Sequence, residues 1–389
     1  MIRVFEAFAG YGSQSIALRN LGIEHEVVAI SEIDKYAIQA YEAIHGPTLN
    51  LGDISKIDPK DIPQHDLFTY SFPCQDLSVA GKQAGLGEGT RSGLLYECEK
   101  IIEYCRPKYL LLENVKNLVG KKFKADFDKW LEYLEGLGYT NYWKVLNAKN
   151  YGVPQNRERV FVISILGEHE PFEWPTPIPL DKCIADILEE QVDEKYYLSE
   201  EIQKRFKITN QNKNVLGTTK PNFRTIGQRD LVYNKEGIMG SLVATDYKQP
   251  KQIAEINQVG MLDIKGNEQI RRVYGDNGIS PTLTATGENG AKKIICEQRC
   301  DEGLRFFKDN ICGTIRTIDA GGDKRVIEEN FKIRKLTPRE CFRLMGMRDD
   351  DIDKIQAAGI SNTQQYKMAG NSIVVNVLEA IFKNLFMEG

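Results

Sequence analysis

Apolar and polar positions follow two periods along this chain, and they change over near residue 180. Before it, short apolar runs flanked by glycine or proline alternate with stretches whose apolar residues recur three and four apart. The runs predict strands over Ile2–Phe8, Glu26–Ile30, the LGDISKI segment around Asp53, and Asp66–Tyr70. A further strand, Lys108–Val115, counts as the fifth, and Asn141–Leu146 and Arg159–Leu166 close the set. The helical stretches start at Ser13–Leu18 and continue with Ser92–Cys105 and Phe127–Leu137. Strand and helix in alternation predict an α/β fold with a doubly wound sheet.

PFEWPTPIP, residues 171–179, holds four prolines in nine positions and reads as a linker. An acidic helical patch is expected over Asp181–Glu201. From 215 to 330 the helical period fades and three related units stand out: VYNKEGIMGSLVATDYKQPKQI from Val232, VYGDNGISPTLTATGENGAKKI from Val273 and FFKDNICGTIRTIDAGGDKRVI from Phe306. Each runs aromatic, turn, Thr-rich segment, polar turn, basic residues, isoleucine, and each is read as a β-hairpin unit of a small module. Thr337-Pro338 with Glu340 opens a helix near the end. Met368–Phe382 predicts one final amphipathic helix, with Ser372 as a possible cap.

Candidate chemistry gathers at the strand ends. Pro73 halts the Asp66–Tyr70 strand, so Cys74 stands at a loop start, as either a nucleophile or a small buried thiol. Glu113 ends the Lys108–Val115 run, where burial favours its neutral form and suits acid/base work; its other reading is a helix cap. Gln155, Arg157 and Arg159 alternate, which in an extended segment puts them on one face. Phe8–Leu18 (FAGYGSQSIAL) joins a strand to a helix through Gly10 and Gly12, a ligand-facing turn. Its incomplete glycine signature argues against a dinucleotide dehydrogenase. Glu32 follows the second strand, where an acid can bind ribose hydroxyls. Asp53 is either an acceptor for an exocyclic amine or a cap. Gly81–Arg91 carries four glycines and reads as a lid beside Cys74.

Composition adds three points. The net charge of −4 hides an asymmetry: residues 1–178 hold 19 Lys+Arg against 24 Asp+Glu, net −5, while 204–325 hold 21 against 14, net +7. A basic central stretch suits phosphate contact. Eight scattered cysteines without paired zinc spacing imply reduced thiols, no metal site and a cytoplasmic protein. No apolar run reaches membrane-span length, and MIRVFEAFAG lacks a signal-peptide pattern.

Six segments, in order, then resemble the DNA (cytosine-5)-methyltransferase family: FAGYG, FPCQ, ENV, QNRER, RKLTPREC and AGNS. The resemblance covers residues 2–180 and 331–386. It implies a Rossmann-like S-adenosylmethionine-dependent methyltransferase sheet with a second, smaller β-rich target-recognition domain. It divides the chain into a catalytic and cofactor-binding domain (1–178), a target-recognition domain with three hairpin repeats (179–330), a supporting segment (331–366) and a returning helix (367–389). It implies catalysis by Cys74, Glu113, Arg157 and Arg159. The cofactor would be held by Phe8, Gly10, Gly12, Ser13, Glu32, Asp53, Leu94, Asn371 and Ser372. Gln75, Ser78, Lys82, Gln83 and Arg91 of the lid would meet double-stranded DNA. The expected protein is a nucleoid-associated monomer, with a cognate restriction endonuclease as a partner it does not physically require. A tRNA methyltransferase or a catalytically silent DNA-binding protein on the same scaffold are the alternatives.

Overall fold

β1 (Ile2–Ala7) is buried along its last four residues, which only an interior strand can satisfy. It lies between β2 (His25–Ser31) and β3 (Leu67–Tyr70), parallel to both, and β4 (Tyr109–Val115) continues the parallel run beside β3. β7 (Glu158–Leu166) then lies antiparallel between β4 and the edge strand β5 (Tyr139–Asn147), giving the order β2-β1-β3-β4-β7-β5. Register partners Phe5 and Phe68 stack at 5.2 Å, and Phe68 stacks on Tyr70 at 5.1 Å. The same core takes in α3 (Leu95–Cys105) and α4 (Lys124–Gly136), while α1 (Ser13–Asn20) and α2 (Lys35–His45) follow β1 and β2. This is the Rossmann-like α/β sheet that the alternation of periods predicts.

The computed structural model describes residues 1–73, 94–203, 205, 207–212, 214–220, 227–255, 258–261, 272–274, 295–299, 303–306, 322–326 and 332–387. They fall into two compact units: Met1–Glu190 with Glu236–Pro250 and Leu336–Gly389, and Gln191–Lys235 with Lys251–Lys335. In the first unit, β6 (Gln155–Asn156) pairs in parallel with β11 (Met239–Gly240). In the second, β8 (Lys207–Asn212), β9 (Val215–Thr218), β10 (Leu231–Tyr233), β12 (Gln252–Glu255) and β18 (Lys332–Lys335) form one sheet in the order β18-β12-β10-β9-β8. β13 (Gln258–Met261) pairs with β14 (Arg272–Tyr274), and β15 (Ile295–Arg299) lies between β16 (Gly303–Phe306) and β17 (Gly322–Val326). Among the described residues no helix is long and apolar enough to cross a membrane.

Several local expectations change. The Asp53 segment is not a strand: Gly52 turns at φ 76° and Asp53 caps a one-turn 3₁₀ helix, Ile54–Lys56, so Lys108–Val115 is the fourth strand. Asp181–Glu201 is not one helix, because its acids cap separate turns. Asp186 accepts from the Cys183 amide and Asp193 from Lys195, and only α5 (Glu200–Gln203) is α-helical. The first repeat unit is not a hairpin: Val232 and Tyr233 pair in parallel with Gln252 and Ile253, the connecting residues having been drawn into the first unit. Most of the second and third units lies outside the described residues.

Thr337 does cap α6 (Pro338–Arg343), in a reciprocal box with Glu340. α7 (Asp349–Ala357) follows. The expected final helix is two: α8 (Asn362–Asn371) and α9 (Val375–Phe386), split by extended backbone at Ser372 and Val374. Ser372 therefore ends α8 rather than capping α9. Gly370 sits inside α8, where a Cβ would fall 2.2 Å from the carbonyl carbon of Val243.

One buried charge site lies in the middle of the sheet. Glu6 is fully buried, accepting from Ser15 Oγ (2.8 Å) and Tyr41 OH (3.0 Å). Burial outweighs those two donors and pushes its carboxyl up to about 7 from 4.5. The folded state therefore binds the proton more tightly, and stability falls as pH rises through that interval. Relative to Glu6→Gln, the wild type is expected to lose about 3 kcal/mol between pH 4.5 and 7. Urea unfolding of both proteins across that range checks this; a difference independent of pH would refute it.

Candidate active site

Four parallel strands place their carboxyl ends along one sheet edge: Ala7 of β1, Ser31 of β2, Tyr70 of β3 and Val115 of β4. β7 runs the other way, so its amino end reaches the same edge, with Arg159 opposite Val115. The strand order turns back beside β1, and in such sheets ligands are held at that switch point. Among the described residues, the strand-end candidates Phe8, Glu32, Glu113 and Arg159 therefore lie along that one edge.

Glu113 and Arg159 meet there. Arg159 Nε is 3.1 Å from Glu113 Oε1. This is an ion pair outside hydrogen-bond geometry, since that buried oxygen has no hydrogen-bond partner among the described residues. Glu113 is 7% exposed, and burial raises its carboxyl above the ordinary range against the opposing pull of Arg159 and then Arg157. Next to Glu113, Asn114 donates to the carbonyl of Phe72 (3.1 Å) and accepts from the Val115 amide (2.9 Å). That bond fixes the chain two residues past the end of β3, at the residue before Pro73. Cys74, Gln75, Ser78, Lys82, Gln83 and Arg91 lie outside the described residues.

Arg157 does not continue an alternating face. β6 ends at Asn156, and the Arg157 amide bonds back to the Gln155 carbonyl (3.0 Å), kinking the chain. Its buried guanidinium donates to the carbonyls of Leu242 (2.7 Å), Ser372 (2.7 Å) and Gly370 (3.3 Å). Gln155 also turns to Leu242, accepting from its amide (3.0 Å) and donating to the Leu344 carbonyl (2.7 Å). Only Arg159 reaches Glu113. A small recess lined by Leu146, Phe161, Ile373 and Val374 flanks the two arginines.

A second cluster surrounds the β1–α1 turn. Phe8 adopts φ 55°, uncommon outside glycine, followed by Gly10 at 60° and Gly12 at 80°. A Cβ on Gly12 would fall 2.5 Å from His45 Nε2, whereas one on Gly10 would meet nothing within 4 Å. The turn is thus packed from below and open above. Glu32 accepts from the Gly10 amide (2.9 Å) and from the amides of Ile33 and Asp34 (both 2.8 Å). Asp53 accepts from the Ser55 amide and hydroxyl, which lower its pKa and keep it an acceptor. Ser13 is buried at the first turn of α1, Leu94 packs on the core at the start of α3, Asn371 is exposed, and the Ser372 hydroxyl is engaged by Tyr11.

Two residues of this cluster, Asn50 and Ile33, escaped the sequence reading. Asn50 Oδ1 accepts from the amides of Glu32 (3.2 Å) and Gly52 (2.9 Å), while its Nδ2 donates to the Glu32 carbonyl (3.0 Å). One side chain therefore sets the spacing between the Glu32 and Asp53 turns. Ile33 beside Glu32 is 74% exposed. An apolar residue directly after a strand-end acid was its one available signal. An open glycine turn, two acceptor carboxylates and an exposed apolar side chain fit a nucleoside with a diol, an amine and a flat base.

The chain matches the family model for C-5 cytosine-specific DNA methylase over residues 2–387. It is 38% identical to the type II methyltransferase M2.ScrFI of Lactococcus lactis subsp. cremoris, covering 99% of both chains. It is 35% identical to the orphan methyltransferase M.SPBetaI of Bacillus phage SPbeta, over 99% of this chain and 97% of that one. Among solved structures, the Entamoeba histolytica methyltransferase EhMeth superposes with a TM-score of 0.65 at 16% identity, over 100% of this chain and 98% of the other, which speaks for the fold. The full-length family match and the full-length relatives lead to one conclusion: the chain belongs to the C-5 cytosine-specific DNA methylase family and is a DNA cytosine methyltransferase.

Proposed function

We propose that this protein methylates C5 of a specific cytosine in double-stranded DNA by a DNA (cytosine-5-)-methyltransferase reaction in which Cys74, Glu113 and Arg159 act on the ring. The observation that carries the residue assignment is the Glu113–Arg159 pair: a carboxyl raised by burial, one oxygen without a hydrogen-bond partner among the described residues, beside a guanidinium. Cytosine offers the complement, an acceptor N3 next to the carbonyl O2. Protonated Glu113 donates to N3 while Arg159 takes the charge at O2. The Cys74 thiolate adds to C6, and the ring electrons move to C5, which becomes an enamine carbon able to attack a methyl group. S-adenosylmethionine supplies that methyl as an electrophilic sulfonium substituent. A base then removes the C5 proton and the thiolate leaves. C6 lies inside the base stack, so the nucleotide must first be turned out of the duplex, at a cost of a few kcal/mol.

The β1–α1 turn, Glu32, Asn50-spaced Asp53 and Ile33 form the proposed S-adenosylmethionine site. Phe8, Gly10 and Gly12 shape its floor; Ser13, Leu94, Asn371 and Ser372 border it. Arg157 is a positioning residue in this reading, since both of its terminal nitrogens donate to main-chain carbonyls. The lid residues Gln75, Ser78, Lys82, Gln83 and Arg91 close on DNA, and the basic repeats within 179–330 read the sequence. The enzyme is a cytoplasmic monomer that needs no bound endonuclease.

Cys74→Ser is expected to lower turnover by at least about a thousandfold while S-adenosylhomocysteine still binds by calorimetry. Near-normal turnover would remove Cys74 from the chemistry. The wild type is expected to form a cofactor-dependent covalent adduct with duplex DNA carrying 5-fluorocytosine, and transfer to tRNA alone would reject the substrate.

Glu113→Gln is expected to cost about 10²–10⁴-fold in rate. Because the working form of Glu113 is the protonated one, wild-type activity falls as pH rises through its raised pKa, and that limb disappears in the residual activity of the variant. A pH–rate profile of both proteins decides. Asn50→Ala is expected to weaken S-adenosylhomocysteine binding about tenfold, the loss of several hydrogen bonds that set the site; unchanged calorimetric affinity would show the two turns hold their spacing without it.

A further inference from the structure

We propose that the Tyr11 hydroxyl is a positioning group that couples the cofactor turn to the arginine segment of the base site through the Ser372 turn. The inference rests on the assignment of those two sites given above. Tyr11 lies between Gly10 and Gly12 and is 1% exposed. Its ring stands edge-on to Phe342 at 5.6 Å, and its hydroxyl donates to Ser372 Oγ at 2.7 Å. Ser372 Oγ donates in turn to the Ala369 carbonyl (3.0 Å). The carbonyls of Ser372 and Gly370 receive the same Arg157 nitrogen, at 2.7 and 3.3 Å. Two residues on, Arg159 faces Glu113.

Residues 370–372 are therefore gripped twice, from the cofactor side by a phenol and from the base side by a guanidinium. Gly370 and Asn371 close α8, and the chain from Ser372 to Val374 runs between α8 and α9, which begins at Val375. Main-chain bonds from the Ser372 amide to the Met368 carbonyl (3.1 Å) and from the Val375 amide to the Met345 carbonyl (2.9 Å) hold its ends, and the Tyr11 and Arg157 bonds hold its middle from either side. Burial raises the Tyr11 phenol to about 12, so it remains a neutral donor at any working pH. A ligand that fixes the Gly10–Gly12 turn fixes Tyr11, and with it the carbonyls that orient Arg157. By linkage, a base that settles Arg157 and Arg159 must favour the cofactor by the same factor. The phenylalanine ring would keep the packing on Phe342 and lose only the bond.

The test measures S-adenosylhomocysteine affinity of the full chain by calorimetry, with and without a saturating duplex carrying the target sequence mapped by bisulfite sequencing. The ratio of the two affinities is the coupling factor. The wild type is expected to show tighter binding with the duplex, and Tyr11→Phe to reduce that factor about fivefold. Ser372→Ala is expected to do the same and Ser372→Thr, which keeps a hydroxyl, to retain it; this pair carries the test if Tyr11→Phe does not fold. A structural role alone would lower stability and leave the factor in place. An unchanged factor in Tyr11→Phe and Ser372→Ala, or no coupling in the wild type, overturns the proposal. A wild type that binds no S-adenosylhomocysteine instead fails the cofactor assignment on which it stands, and the coupling falls with it.

Discussion

A carboxyl group that burial drives toward its neutral form, set against a guanidinium that pulls it back, is the interaction on which this site depends. Either influence alone would give a worse acid. An exposed Glu113 would be a plain carboxylate at neutral pH, and in the proposed reaction a buried one without Arg159 would have no partner for the charge that develops on the pyrimidine. The sheet provides both at once. β4 carries Glu113 to its carboxyl end, and β7, being antiparallel, brings Arg159 to the same edge from its amino end. A fully parallel strand in that position would have placed the arginine at the far side of the sheet.

The proposed cofactor side follows the same economy of strand ends, with backbone amides in place of charged side chains. Glu32 is anchored by three of them, and Asn50 ties its turn to that of Asp53. These bonds fix the carboxylates as acceptors before any ligand arrives, which lowers the ordering cost of binding. Gly12 is needed for a different reason from Gly10. Below Gly12 the rings of Tyr41 and His45 leave no room for a Cβ; above Gly10 the space is open.

Most of the first unit was legible because its signals are local. A buried strand needs an apolar run, and Pro73, Gly10 and Gly12 punctuate the chain where the strands end. Glu113 and Arg159 could be named for the same reason, since each stands at the mouth of such a run. What escaped depended on partners distant in sequence. Asn50 is an ordinary polar residue until it is seen bridging Glu32 and Gly52. Arg157 looked like a twin of Arg159, but an amide bond two residues back turns it toward Leu242 and Ser372. The Met368–Phe382 pattern satisfied a helical period throughout, and nothing in the pattern reveals that Ser372 and Val374 are extended. The parallel pairing of β10 with β12 was hidden likewise, because a hairpin and a crossover share one sequence pattern when the connection packs elsewhere.

That connection, Glu236–Pro250, is held in the first unit in a way that constrains few of its side chains. Its attachment to the first unit is made largely through main-chain atoms: the Leu242 amide to Gln155, the Leu242 carbonyl to Arg157, the Met239 amide to the Pro154 carbonyl. Gly370 contributes by lacking a side chain where Val243 and Ala244 pass. Beyond these contacts the segment buries Met239 and Leu242 and uses Asp246 to cap the Val243 amide. Side chains that point outward, such as Val243 and Tyr247, are released from any duty to the frame. Main-chain anchoring of this kind leaves the outward side chains of the segment free to change while the atoms orienting Arg157 stay where they are.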